Sequence, residues 1–326
     1  MVKIIGRLSA VGIGKETVRG TAVAPTAWVP VQSVDIDDKP DYIHNDSGYG
    51  NISEFNDSDV NWMHAEGGYE GKVFDNVLGL ELYAVFGQSP TSAQRAATGV
   101  YDHTFAMLNT NQHGSLTVAY KGAPEDVRYA LSMVDEFSIE AVLDKYLTRK
   151  VKFMSQASAT ATNTVAYTLG NEFLARHINI YTAANLAGLA SATAMKATSF
   201  KFTVKKNVTI DYVFGKAAVD DIVNQQLNVE GEFEAPREDL TLRNLSNNGT
   251  AQAIRFEAIN TGVTIGTGGL HSPAVRFDFA KAAFLENSRN WDANAEITQT
   301  VKFQANYSIS DAAIMTARLT NTQTSI

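Results

Sequence analysis

The stretch Gly14-Lys15-Glu16, followed by Gly20-Thr21-Ala22-Val23-Ala24-Pro25-Thr26-Ala27-Trp28-Val29-Pro30-Val31, sets the terms on which the rest of the chain is read. Its glycines and prolines separate two runs, Arg7–Val11 and Trp28–Ile36, in which apolar and polar residues alternate. A period of two marks half-buried strands. The same alternation recurs at Ser115–Tyr120, Val127–Met133, Glu136–Val142, Val151–Met154, Phe173–Tyr181, Phe200–Val204 and Val208–Phe214. It closes with Leu227–Phe233, Ile254–Ile259, Val275–Phe279 and Ile297–Ile309. Helical spacing is scarcer. Val77, Leu78, Leu82, Val85 and Phe86 predict a short amphipathic helix ended by Gly87, and Val219–Leu227 and Arg237–Leu245 each have room for a turn or two. The expected class is mainly β, a β-sandwich or barrel with short flanking helices.

The pattern runs twice. Trp28–Ile36 precedes Glu70-Gly71-Lys72-Val73-Phe74, a helix candidate, Gly114–Tyr120, Phe137-Ser138-Ile139 and Val151-Lys152-Phe153. Phe200–Asp211 precedes Glu230-Gly231-Glu232-Phe233, a second helix candidate, Ile254–Ile259, Phe277-Asp278-Phe279 and Val301-Lys302-Phe303. Preserved order with variable spacing predicts a degenerate tandem duplication, the alternative being a likeness of composition alone. Ser155–Thr168 and Thr182–Ser199 are rich in Ala, Ser, Thr and Asn and supply little burial. The expected division is a first unit over 1–160, with an N-terminal arm and a long acidic loop at 35–66, a linker at 161–172, and a second unit over 173–326.

Composition narrows the function. The 326 residues are 44% hydrophobic and 19% charged, ordinary globular material. Lys and Arg number 27 against 35 Asp and Glu, a formal net charge of −8, so the chain as a whole does not attract a phosphate backbone. The absence of cysteine excludes disulfides, thiolate metal sites and a cysteine nucleophile. Lys3, Gly6 and Arg7 interrupt the apolar run Val2-Ile4-Ile5-Leu8, so no signal peptide is expected there. No stretch approaches the roughly 20 apolar residues that span a bilayer, and a soluble, unanchored chain is expected.

Site chemistry is sparse. Gly12-Ile13-Gly14-Lys15 departs from a phosphate-binding loop, with Ser9 where the first glycine belongs and Glu16 where Mg²⁺ needs a hydroxyl. His44, His64, His103, His113, His177 and His271 are scattered, and the adjacent carboxylates Asp220-Asp221 and Glu238-Asp239 suggest no acid–base pair. Lys201, Lys205 and Lys206 form the best basic cluster and read as a solvated strand face. The segment Asp35–Asp59 carries eight carboxylates against Lys39 alone, which predicts a self-repelling, solvated loop. A calcium site is disfavoured because Asp35-Ile36-Asp37-Asp38-Lys39-Pro40 lacks the glycine and the distal glutamate of an EF-hand.

Taken in order, these phrases resemble the major tail tube proteins of long-tailed, siphovirus-like phages. The resemblance rests first on Gly14, Glu16, Gly20, Thr21, Pro25, Trp28, Pro30 and Val31. It continues through Asn207-Val208-Thr209-Ile210-Asp211 and Val229-Glu230-Gly231-Glu232-Phe233, and ends at Val301-Lys302-Phe303-Gln304-Ala305. Each motif is short, and the specificity lies in their order over most of the chain. The resemblance implies a sandwich or barrel-like unit whose strands join those of neighbouring subunits into one continuous barrel. Rings of such units stack into a hollow tail tube for genome delivery, a structural role without catalysis or cofactor.

The implied partners are further copies of the chain, a tape-measure protein, and tail terminator and tip proteins. DNA would pass through the lumen without tight binding, and no membrane is involved. The implied location is the virion tail, after assembly in the host cytoplasm. The family usually presents six tube units per ring, so a duplicated chain implies three subunits in a pseudo-sixfold ring, with six subunits as the alternative. The acidic stretch stands where such proteins carry a long loop between rings. That makes Asp35, Asp37, Asp38, Asp41, Tyr49, Trp62 and Tyr69 candidate contact residues, the aromatics being equally suited to a core. Readings from other classes are an adhesin or carbohydrate-binding β-sandwich, and the inner tube of a contractile injection system.

Overall fold

The computed structural model describes residues 5–96 and 98–326; the start of the N-terminal apolar run, residues 2–4, lies outside the described residues. The principal elements are β1 (Ala10–Lys15), β2 (Ala27–Val29), β3 (Asp37–Asn45), β4 (Asp57–Lys72), α1 (Leu78–Phe86), β5 (Tyr101–Ala106), β6 (Leu116–Lys121), β7 (Asp126–Val142) and β8 (Thr148–Gln156). They continue with β9 (Ile178–Ala183), β10 (Ser199–Lys205), β11 (Asn228–Pro236), α2 (Thr241–Asn247), β12 (Gln252–Ile259), β13 (Ala274–Asn290), β14 (Thr298–Asn306) and β15 (Met315–Asn321). The architecture is mainly β, with antiparallel sheets in the manner of a β-sandwich.

One sheet dominates. Its strands lie in the order β3–β4–β8–β7–β10–β11–β14–β13, each antiparallel to the next. Only the C-terminal parts of β7 and β13 belong to it. The N-terminal part of β7 pairs with β6, which continues through β1 to β2. The N-terminal part of β13 pairs with β12 and β15, which lead on to β9 and β5. Both long strands slip register on the way, at Leu116/Val118 and Gln252/Ile254 against the first partner, and at Lys152/Phe153 and Phe284/Glu286 against the second. An extra residue of this kind bends a strand and sharpens its twist, letting one strand serve two layers.

The alternation explains which face is sealed. Phe200, Phe202 and Val204 of β10 are buried, as are Phe137 and Ile139 of β7, Val151 and Phe153 of β8, and Val301 and Phe303 of β14. The phenylalanines interlock, Phe200 stacking on Phe256 at 5.0 Å and Phe202 meeting Phe277 at 4.9 Å. Helix α1 is almost wholly buried, so packing rather than amphipathicity holds it, and Gly87 ends it in the left-handed conformation at φ 82° with its N–H on the Tyr83 carbonyl. Glu81 of α1 and Arg149 of β8 meet inside this core, with Tyr69 donating its hydroxyl to Glu81 at 2.8 Å.

Several expectations are corrected. The acidic segment is no loop: β3 and the start of β4 form a hairpin arm, closed by residues 46–56. Its carboxylates stay in water, where screening weakens their repulsion, while Ser158 donates to Asp38 and His44 stacks on Phe55 at 4.7 Å. Val127–Met133 and Glu136–Val142 are one strand bent at a bulge. Val219–Leu227 is not helical; Asp221–Val223 pairs with Thr209–Asp211, because Ile222 has a strand partner in Ile210. Arg7–Val11 begins as a helical turn, and strand structure starts at Ala10. Phe173–Tyr181 likewise opens with a turn at Ala175–His177 before β9.

Candidate assembly site

The N-terminal phrase builds a corner. Glu16, at the end of β1, is buried and accepts four hydrogen bonds: from the Gly20 N–H at 2.8 Å, Ser115 Oγ at 2.6 Å, Thr117 Oγ1 at 3.0 Å and the Leu131 N–H at 2.8 Å. The last of these fixes the β7 bulge, where Leu131 stands at φ 52°. Gly12 is small because a Cβ there would lie 2.7 Å from Pro25 and 3.2 Å from the Trp28 ring. Thr21 closes the turn with its N–H on the Val18 carbonyl, and Pro30 leads the chain past Gly71, where a Cβ would lie 2.8 Å from the Pro30 oxygen. Gly14-Lys15 holds no phosphate cradle: Lys15 donates to Ser89 Oγ and the Ile326 oxygen and lies over the Tyr83 ring.

Arg19, which the sequence reading passed over, ties this corner to the second half. It pairs with Asp221 at 2.7 Å and donates to the His113 and Ile222 carbonyls. Beside it lies a cleft of about 620 Å³ lined by Leu108, Asn111, His113, Lys206, Asn224 and Met315 among others. Lys206 does not share a solvated face with Lys201 and Lys205: it is buried and donates to the Ala84 carbonyl at 2.8 Å. Burial, and next the charge of Arg19, draw its amine down to about 7. Burial also pulls His113 down to about 4, with Lys206 adding to the effect. The sequence signal for Lys206 was a second consecutive lysine just past the alternation Phe200–Val204.

The outer face of the main sheet is polar and striped by charge. Strand by strand it presents Glu66 and Glu70 on β4, Lys150 and Lys152 on β8, Glu136 and Glu140 on β7, Lys201 and Lys205 on β10, Glu230 and Glu232 on β11, Lys302 on β14 and Glu286 on β13. Neighbouring stripes pair: Lys152 with Glu136 at 2.8 Å, Lys205 with Glu230, and Lys302 with Glu286 at 2.7 Å. Cross-strand ion pairs of this kind contribute little to stability but leave no contiguous basic surface.

The sheet ends in two edges without a further strand partner among the described residues, the outer side of Ser33–Asn45, whose inner side pairs with β4, and the side of the C-terminal part of β13 that faces away from β14. Asp35, Asp37, Asp38 and Asp41 lie along the first edge. Tyr49, at the tip of the arm, is exposed. Trp62 is half-buried and stacks on Tyr212 at 4.6 Å. Tyr69 is corrected as a contact residue: it is sealed in the core against Glu81, because the alternation on β4 turns it inward. Ile43, Ile52, Phe55 and Val60 are exposed on the same arm, apolar surface that the charge count had hidden.

Among the described residues no group of three or more His, Cys, Asp or Glu could hold a metal ion, and no helix is long and apolar enough to cross a membrane. What the geometry offers is a sheet with two open edges, a polar face and a projecting arm. The family described as phage tail tube protein matches residues 6–305. The chain belongs to the phage tail tube family. That family is structural, and its place is the virion tail. The match takes in the Glu16 corner, both long bent strands and both open edges. No curated protein matches the chain significantly.

Proposed function

We propose that this tail tube family member is the repeating subunit of the tube itself, closing into rings that stack into a conduit for DNA. The observation that carries the reading is the eight-stranded sheet with a sealed face, a charge-striped polar face and two free edges. Unpaired edges of this length must be covered, and a closed multi-subunit barrel pairs them all. The polar face then lines the lumen. Its alternating acidic and basic strands offer a duplex no basic track, so few counterions are released and DNA slides. The chain catalyses no reaction on this reading, and it assembles in the host cytoplasm with a tape-measure protein and terminator and tip proteins as partners.

Two tube units, 1–160 and 173–326 joined by 161–172, fit the pairing order. β4, β8 and β7 recur as β11, β14 and β13, and the β1–β6 pair recurs as β9–β12. Three copies then present six four-stranded blocks. With strands about 4.8 Å apart and tilted about 40°, such a barrel is about 48 Å across between backbones, or about 38 Å inside its side chains. Six copies contributing every strand would roughly double this, far beyond what a duplex needs. Hence we favour three. The test is negative-stain electron microscopy of the purified protein at high concentration, with rotational analysis of end-on views. Hollow rings with three strong masses support the reading; six identical masses refute the trimer, and monomers alone, even with a tape-measure protein added, refute the ring.

A further inference from the structure

The chain already contains one sheet-to-sheet seam between its halves, and the two free edges are its counterparts. In the seam, β7 pairs with β10 from Val142 opposite Ser199 to Glu136 opposite Lys205. β13 is the equivalent of β7. Both are 17 residues long, and both bulge opposite a Lys-Phe step, Lys152-Phe153 and Lys302-Phe303. Matching positions are 150 residues apart throughout, Glu136 with Glu286 and Lys152 with Lys302. The Ser33–Lys39 edge is the equivalent of β10. Val34 lies opposite Tyr69, which faces Val151; Phe200 lies opposite Phe233, which faces Val301. Val34 therefore holds the place of Phe200, and Lys39 that of Lys205.

Resting on the ring reading above, we propose that the partner of each free edge is the other edge of a second copy of this chain, in the register of the internal seam: β13 runs antiparallel to Ser33–Lys39 of the neighbour, with Glu286 opposite Lys39 and Ser288 opposite Asp37. Two features of the two edges agree with this register without having been used to derive it. The acid–base pair Glu136–Lys205 of the seam recurs as Glu286–Lys39. The small–large pair Ala141–Phe200 recurs as a large–small one, because Trp291, 68% exposed, falls opposite Val34, which is only half-buried. Pro40 holds the place of Lys206, whose N–H reaches the Asp135 carbonyl in the seam; having no N–H, it ends the ladder between copies one bond earlier. The contact is heterologous, one edge against the other, as ring closure requires.

A chain without cysteine makes the test clean. The double variant Asp37→Cys/Ser288→Cys is oxidised after assembly and run without reductant. Closed covalent trimers are expected. The slipped pair Asp38→Cys/Ser288→Cys puts its thiols on opposite faces and is expected to cross-link about ten-fold less. Rings visible by microscopy without the first cross-link, or with equal cross-linking of the slipped pair, overturn the register and leave the ring reading intact. Wild-type protein that never forms rings overturns the ring reading, and the register with it. Charge reversal guards against a cysteine variant that does not fold. Lys39→Glu and Glu286→Lys are each expected to lose ring assembly, and their combination to regain it; a combination that stays monomeric overturns the register.

Discussion

Replacing Glu16 tests whether the corner it anchors is what holds β7 in two layers at once. Its two carboxylate oxygens accept from two backbone N–H groups, Gly20 and Leu131, and two hydroxyls, Ser115 and Thr117. Hydroxyls can rotate and find other partners, whereas a backbone N–H held in a bulge cannot. Glu16→Gln turns one oxygen into a donor, which sets an N–H against an N–H and costs about 2 kcal/mol. Glu16→Ala strands both N–H groups. Leu131 is 1% exposed and out of reach of water, and the loss rises to about 4 kcal/mol. At roughly 2 °C per kcal/mol for a chain this long, the melting midpoint should fall by about 4 °C for Gln and about 8 °C for Ala. Thermal unfolding at concentrations too low for assembly reads this directly, and amide exchange should locate the loss at Tyr129–Met133. An alanine variant within about 0.5 kcal/mol of wild type would refute the claim that Glu16 fixes the bulge.

Arg149→Met leaves Glu81 charged in a dry core and should cost about 3–5 kcal/mol, while Glu81→Leu/Arg149→Met should cost less than either single change; a double variant as poor as the singles contradicts this. The His113 imidazole is held at about 4 against an ordinary 6.5, so an unfolded chain takes up the proton first as pH falls. Its stabilising contribution is complete above about pH 6.5 and lost toward pH 4, and His113→Gln should flatten that part of a stability profile. Gly67→Ala places a Cβ 1.8 Å from the Asp35 carbonyl oxygen at a backbone φ of 138°, so the Ser33–Lys39 edge should lift from β4. Faster amide exchange along Asp35–Lys39 is the expected readout, together with loss of ring assembly.

Much of the fold was legible because half-buried strands declare themselves by alternation. The strands around Phe200–Val204, Ile254–Ile259 and Val301-Lys302-Phe303 need one inward and one outward face, and their sequences have little freedom. Gly87 likewise marked the end of α1. What stayed hidden depended on partners distant in sequence. The hairpin arm read as a loop because its charges are those of a solvated segment, and both arms of a ribbon without a sheet behind it are solvated. Tyr69 and Trp62 sit on opposite faces of one strand by alternation, and only their partners distant in sequence, Glu81 and Tyr212, identify which face is sealed. Lys206 and His113 carry ordinary-looking side chains, and only the cleft between loops from both halves makes them unusual.

The internal seam also has a history in time. β7 leaves the ribosome well before β10, since 57 positions separate Val142 from its partner Ser199. At roughly 5–20 residues per second, the β7 edge waits about 3–11 s for its own continuation. During that interval a nascent chain exposes the same kind of edge as the two that stay free in the finished sheet. The tether resolves the competition. A strand linked by a flexible segment is present at an effective concentration in the millimolar range, far above that of any other copy. Each chain therefore closes the β7 and β10 edges on one another first, and what is released is a single sheet with one unlike edge at either end.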